Sequence, residues 1–208
     1  MTILAINVGR CISTLCYSIL KLELYSVCQY SCKYCYGRWY RGSEAKIKPQ
    51  YDVVKAFIKV SKVLSRKKLG IIPFRLSTLI EPFQKIEENY KLSLKILKIA
   101  LKNRVPIIIS TKSTLYTSSD WWNVLEALNR DRLVVIQKTI TTLDHNIAGI
   151  LEPNAPTPEE RVETIEKASK EDIPVIIRFQ PLIPGYSEYE AREIFKVARS
   201  IGTKHVIN

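Results

Sequence analysis

Cys28, Cys32 and Cys35 stand within one eight-residue stretch, CQYSCKYC, of a 208-residue chain that has five cysteines. Spaced three and then two residues apart, they let a single loop wrap three thiolates around one centre. The odd cysteine count and tight spacing point to metal ligation or thiol chemistry in a reducing compartment, not to a disulfide framework. A structural zinc would need a fourth ligand; Cys11, Cys16, His145 and His205 are the candidates, and none has the local pairing usual at zinc sites. A [4Fe–4S] cluster normally takes four cysteines, so three would leave one iron open to a substrate or cofactor. The plainest competing reading is three unligated thiols on a surface loop.

The elements that must position this loop alternate along the chain. CYSILKLELYS (16–26) reads as a first strand that ends just before the cysteines. Residues 52–66 then carry a helical stripe at Val53, Val54, Phe57, Ile58, Ser61 and Leu64, with Ser61 its weak member. Strands follow at 71–78, 106–111, 133–141, 173–181 and from 204, separated by helices over 87–103, 118–129 and two that start at Thr157 and Ser187. Thr157 with Glu160, and Ser187 with Glu190, have the spacing of capping boxes. Six strands separated by five helices predict an α/β fold in one domain spanning 1–208: a partial TIM-type (β/α)6 barrel of parallel strands with outer helices, its final helix missing. No Gly-x-Gly-x-x-Gly signature supports a dinucleotide fold. In such a sheet functional groups gather where strands end. That rim holds the cysteines, Ser77 and Thr78, Thr111 and Lys112, Thr139 and Thr141, and Arg178 with Pro181.

Lys and Arg number 32 against 20 Asp and Glu, a formal charge of +12. That field favours polyanions such as nucleic acid, although small basic proteins without such a partner share it. No run approaches the roughly 18 uninterrupted apolar residues of a membrane span. The N-terminus lacks the pattern of a cleaved signal. A soluble, cytoplasmic protein without a membrane partner is expected.

The C-x-x-x-C-x-x-C motif, with aromatic Tyr34 just before its third cysteine and a strand just before its first, resembles the radical S-adenosylmethionine superfamily. LSTLIEPFQKIEENYKLSLKIL, IISTKS, TITTLDHNIAGILEPNAPTPEERVETI and IRFQPLIPGYSE follow, in order, segments of its spore-photoproduct-lyase-like branch, from about Leu22 to Glu190. The resemblance implies that Cys28, Cys32 and Cys35 hold three irons of a [4Fe–4S] cluster. The amine and carboxylate of S-adenosylmethionine would chelate the fourth, and an electron from an external low-potential donor would release a 5′-deoxyadenosyl radical. By the same resemblance Tyr34 packs near the adenine, Ser77 and Thr78 meet the cofactor's amino group, Lys112 its carboxylate, Thr139 its ribose, and Arg178 also faces it. Glu81 stands where the branch has Asp before Pro. Without the resemblance these hydroxyl residues read as caps, Lys112 as a solvated rim charge and Tyr34 as a packing aromatic.

Three departures from the branch stand out. KLELYSVC replaces its Asn-Pro-Tyr-x-Gly-Cys run, YGRWYRGS replaces a histidine beyond the third cysteine, and the sequence ends in the sixth strand where relatives continue. The last leaves the substrate open and suggests a partner subunit that completes the barrel. Tyr36, Arg38, Trp39, Tyr40 and Arg41 interleave aromatics and cations suited to stacking on bases, or else cover the barrel mouth. Cys11 and Cys16 read as small buried hydrophobes, and Trp121-Trp122 as a helix face with one snorkelling indole. A nucleic-acid-modifying enzyme is the leading functional expectation. A cluster-binding subunit without catalysis, or an enzyme acting on a protein or small molecule, are the alternatives.

Overall fold

The computed structural model describes residues 6–8, 20–37, 46–67, 72–203 and 205–208. The expectations placed on Cys11, Cys16, Arg38, Trp39, Tyr40 and Arg41 lie outside them. Seven strands form one sheet in the order of the chain: β1 (Ile6–Val8), β2 (Leu20–Leu22), β3 (Phe74–Leu76), β4 (Ile107–Thr111), β5 (Val134–Thr139), β6 (Val175–Arg178) and β7 (His205–Ile207). From β2 to β7 every pairing is parallel, as six expected strands require. β1 is an addition: it lies antiparallel on β2, with Ile6 opposite Leu22. Among the described residues the sheet is not closed into a barrel.

Alternation along the strands separates two faces. In β4, Ile107, Ile109 and Thr111 are buried while Ile108 and Ser110 are half-buried. The register places Leu22, Leu76, Ile109 and Ile136 in one row, all fully enclosed. Among the described residues, helices α1 (Tyr51–Arg66), α3 (Leu92–Asn103), α4 (Ser119–Arg130), α6 (Pro158–Lys170) and α7 (Ser187–Ser200) connect the strands, and α2 (Glu87–Tyr90) and α5 (His145–Leu151) are short. Phe57 of α1 meets Phe74 of β3 edge-on, with ring centroids 5.0 Å apart. A buried phenylalanine contributes on the order of 2–3 kcal/mol, so such contacts hold the helical layer against the sheet. Among the described residues no helix is long and apolar enough to cross a membrane.

Three local expectations are corrected. The helix expected over 87–103 breaks at Lys91, whose φ is +50°. Glu87 is fully buried and needs donors; it takes them from Tyr25 Oη, Ser93 N–H at 2.6 Å and Ser93 Oγ at 2.6 Å, which caps α3 instead of continuing α2. The Thr157 capping box forms, but the Ser187 box does not. Ser187 Oγ accepts from Ile183 N–H at 2.7 Å, and Glu190 turns to Thr142 Oγ1 at 2.9 Å. Helix α5 is a further addition, too short for a clear period in the sequence; the Asp144 side chain, accepting from Asn146 and Ile147 N–H, starts it. Neither indole snorkels: Trp121 and Trp122 are both buried, and Trp121 Nε1 donates to Ser93 Oγ at 2.7 Å.

Candidate functional site

The cysteine loop leaves β2 and is clasped from two directions. On one side Gln29 N–H donates to Gln84 Oε1 at 2.7 Å, Ile86 N–H donates to Gln29 Oε1 at 2.9 Å, and Gln84 Nε2 donates to Val27 O at 3.1 Å. On the other, Lys33 N–H donates to Leu151 O at 2.8 Å and Asn154 Nδ2 to Gln29 O at 3.1 Å. Gly37 lets the chain just past Cys35 approach the segment after β3, because a Cβ there would sit 3.1 Å from Leu79 O and 3.4 Å from Cys35 Sγ.

The loop closes one side of a pocket of about 470 Å³ at the C-terminal ends of the strands. Cys28, Cys32, Cys35 and Tyr34 line it from the loop; Ser77 and Thr78 from just beyond β3, Lys112 from just beyond β4, and Thr139 and Arg178 from the ends of β5 and β6. Every residue expected to hold metal or cofactor therefore faces one cavity. Tyr36, 56% exposed, and Leu182, 48% exposed, stand at its mouth. His145 is exposed and lies 3.4 Å from Glu159, and exposed His205 belongs to β7; neither lines the pocket.

Three carboxylates shape the rim. Glu23 accepts from Ser77 Oγ at 2.7 Å, Thr78 N–H and Oγ1 at 2.8 Å each, and Leu79 N–H at 3.2 Å, which holds Ser77 in a left-handed conformation with φ +62°. Glu81 accepts from Thr111 Oγ1 at 2.5 Å, Lys112 N–H at 2.8 Å and Phe83 N–H at 3.1 Å, fixing the turn from which Lys112 projects. Glu152 is enclosed with Arg161 and Lys112; burial alone would raise its pKa, but the two cations and the Tyr34 and Thr141 hydroxyls hold it below the usual carboxylate value. Thr141, expected on the rim, is fully buried and donates to Glu152 at 2.7 Å. Lys112 Nζ stands 5.7 Å over the Tyr34 ring, and the guanidinium of Arg178 donates to Gln137 and Gln180.

Sequence reasoning missed Glu23, Glu152 and Arg161. Glu23 gave a weak signal, a lone acid in an apolar strand. The other two sit within TITTLDHNIAGILEPNAPTPEERVETI, where nothing local separates them from solvated acids and bases.

Burial pushes the Cys28 thiol up to about 11 and raises Cys32 too. Thiolates in this place need compensating positive charge, which metal supplies. No three His, Cys, Asp or Glu side chains among the described residues converge to hold a single ion. A cluster asks for something else: each of three irons takes one sulfur, so the sulfurs need to ring a cavity, not meet at a point. That suits three cysteines spread along one pocket wall.

Residues 22–198 match the Radical SAM superfamily. The chain belongs to that superfamily. Radical SAM proteins use a [4Fe–4S] cluster and S-adenosylmethionine, and the cysteine pocket has the donors for the former. The chain is 33% identical over 110 residues to the uncharacterized protein ORF301 of Acidianus two-tailed virus, covering 52% of this chain and 34% of that one. It is 26% identical over 178 residues to the uncharacterized protein MJ0683 of Methanocaldococcus jannaschii, covering 81% and 62%. The chain thus spans about one to two thirds of the length of these relatives. A spore photoproduct lyase mutant with bound AdoMet and dinucleoside spore photoproduct shares the fold, with a TM-score of 0.71 at 15% identity over 92% of this chain and 55% of that one.

Proposed function

We propose that this chain is the catalytic core of a radical SAM enzyme that cleaves S-adenosylmethionine reductively and acts on a nucleic-acid lesion or modification. The observation that carries the enzymatic part is the convergence of three cysteines and six candidate cofactor contacts on one pocket. Cys28, Cys32 and Cys35 would hold the [4Fe–4S] cluster. The bound cluster and S-adenosylmethionine supply a 5′-deoxyadenosyl radical when one electron arrives from an external low-potential donor.

This chain's residues bind and orient. Thr78 spends its hydroxyl hydrogen on Glu23, which leaves oxygen lone pairs to accept from an ammonium group, the chemistry of the cofactor's amino end. Lys112, with its side chain 18% exposed, suits the carboxylate. Thr139 would serve the ribose, Tyr34 the adenine, and Arg178 the remaining wall. The nucleic-acid part draws support from the formal +12 charge and the exposed Tyr36 at the pocket mouth, and a lyase-like reaction from the shared fold. A partner subunit against the open sheet belongs to the same reading.

Anaerobic reconstitution with iron and sulfide, then reduction with S-adenosylmethionine, should yield 5′-deoxyadenosine. A fully loaded cluster that yields none would refute the catalytic reading. The nucleic-acid part predicts DNA or RNA binding that weakens steeply with salt, and salt-insensitive or absent binding would overturn it.

A further inference from the structure

Glu152 follows α5 with its side chain wholly enclosed, and four segments meet at its carboxylate. Oε1 accepts from Tyr34 Oη of the cysteine loop and from Thr141 Oγ1 beyond β5 at 2.7 Å, and faces Lys112 Nζ beyond β4 at 3.7 Å. Oε2 lies 2.5 Å from Arg161 Nη2 of α6, a close ion pair not aligned as a hydrogen bond. Arg161 is walled off, its side chain 1% exposed, and its Nε donates to Pro156 O at 2.8 Å. Lys112 and Tyr34 are the members of this group that line the pocket, and Lys112 is the charged one.

Two cations and one carboxylate leave one positive charge, and the geometry directs it outward through Lys112. At 3.7 Å the ammonium is restrained by Glu152 without a hydrogen bond to it, so its donors stay available to an incoming anion. The same carboxylate seats Tyr34, two residues from Cys32 and next to Cys35. We propose that Glu152 is a positioning residue for the cofactor end of the pocket: one carboxylate aims the Lys112 ammonium and anchors Tyr34, and thereby sets affinity for the carboxylate of S-adenosylmethionine. This rests on the assignment of Lys112 to that carboxylate.

Removing Glu152 alone would strand Arg161 without a counter-charge and destabilise the fold. The test therefore uses Glu152→Gln with Arg161→Met, and Glu152→Leu with Arg161→Met, both of which keep the net charge of the group. The Gln pair keeps the acceptor at position 152 for Tyr34; the Leu pair leaves Tyr34 only the Thr141 hydroxyl, 3.1 Å away. Both should load the cluster and bind S-adenosylmethionine about tenfold more weakly, read by anaerobic titration of the reduced cluster's electron paramagnetic resonance signal. In cofactor-free protein the Lys33 and Cys35 amides should exchange faster in the Leu pair than in wild type or the Gln pair. Wild-type affinity in a folded Gln pair would overturn the aiming of Lys112, and wild-type exchange in a folded Leu pair the anchoring of Tyr34. Should the Leu pair not fold, Tyr34→Phe, which leaves the ion pair intact, is held to the same exchange criterion. Should wild type itself fail to bind S-adenosylmethionine, the reading of the pocket falls while the exchange measurement still decides the anchoring.

Discussion

Glu23→Ala removes the acceptor for four hydrogen bonds, from Ser77 Oγ, Thr78 N–H, Thr78 Oγ1 and Leu79 N–H. Bonds to a charged group contribute roughly 1.5–3 kcal/mol each when dry. Glu23 is half-buried, so water can replace part of each. About 1 kcal/mol per bond survives that competition, and about 3–4 kcal/mol in all. For a protein of this size 1 kcal/mol moves the melting midpoint by about 2–4 °C, so the alanine variant should melt roughly 6–16 °C lower. Glu23→Gln keeps one oxygen for the three donors that use Oε1 and should lose only about 1–2 kcal/mol. Urea unfolding of cofactor-free protein at pH 7, followed by circular dichroism, gives both values, and amide exchange should localise the loss to Thr78 and Leu79. An alanine variant with the wild-type midpoint, or a glutamine variant as unstable as the alanine one, would refute the claim that these four bonds hold the loop.

Gly37→Ala should cost about 1–2 kcal/mol, because the new methyl presses on Leu79 O, and should lower iron per chain after reconstitution, measured by colorimetric assay. Lys112→Ala should retain the cluster and weaken S-adenosylmethionine binding at least tenfold in the same paramagnetic titration. Glu152 has its folded pKa below the usual 4.5, so its contribution is complete above that value and disappears as pH falls through the lowered one. Urea midpoints should therefore drop below about pH 4.5, with a shallower drop in the Glu152→Gln, Arg161→Met pair. Thr157→Ala should remove about 1 kcal/mol of helix capping, visible as a shift of a few degrees in melting.

Strand and helix order was legible because continuous apolar runs such as IIIST and amphipathic stripes such as that of α1 carry their period in the sequence. The cysteine loop was legible because spacing alone gathers its thiols, and the rim residues because a parallel sheet brings its strand ends together. What escaped was set by distant partners. The break at Lys91 follows from the needs of buried Glu87, not from the helical stripe around it. Ser187 and Glu190 have capping-box spacing, but Ile183 and Thr142 claim them first. Glu23 and Glu152 look like solvated acids until donors 54 and 118 residues away arrive.

That last separation has a consequence for how the protein is made. Tyr34 closes on Glu152, and Asn154 reaches back 125 residues to Gln29. During synthesis the cysteines emerge first and must wait for more than half the chain before their second clasp exists. At about 5–20 residues per second the interval lasts roughly 6–25 s. Iron delivered in that window meets three loosely held thiols; iron delivered afterwards meets a finished wall. The chain itself thus orders its cysteine wall in time, complete only once α5 and the segment up to Asn154 have been made.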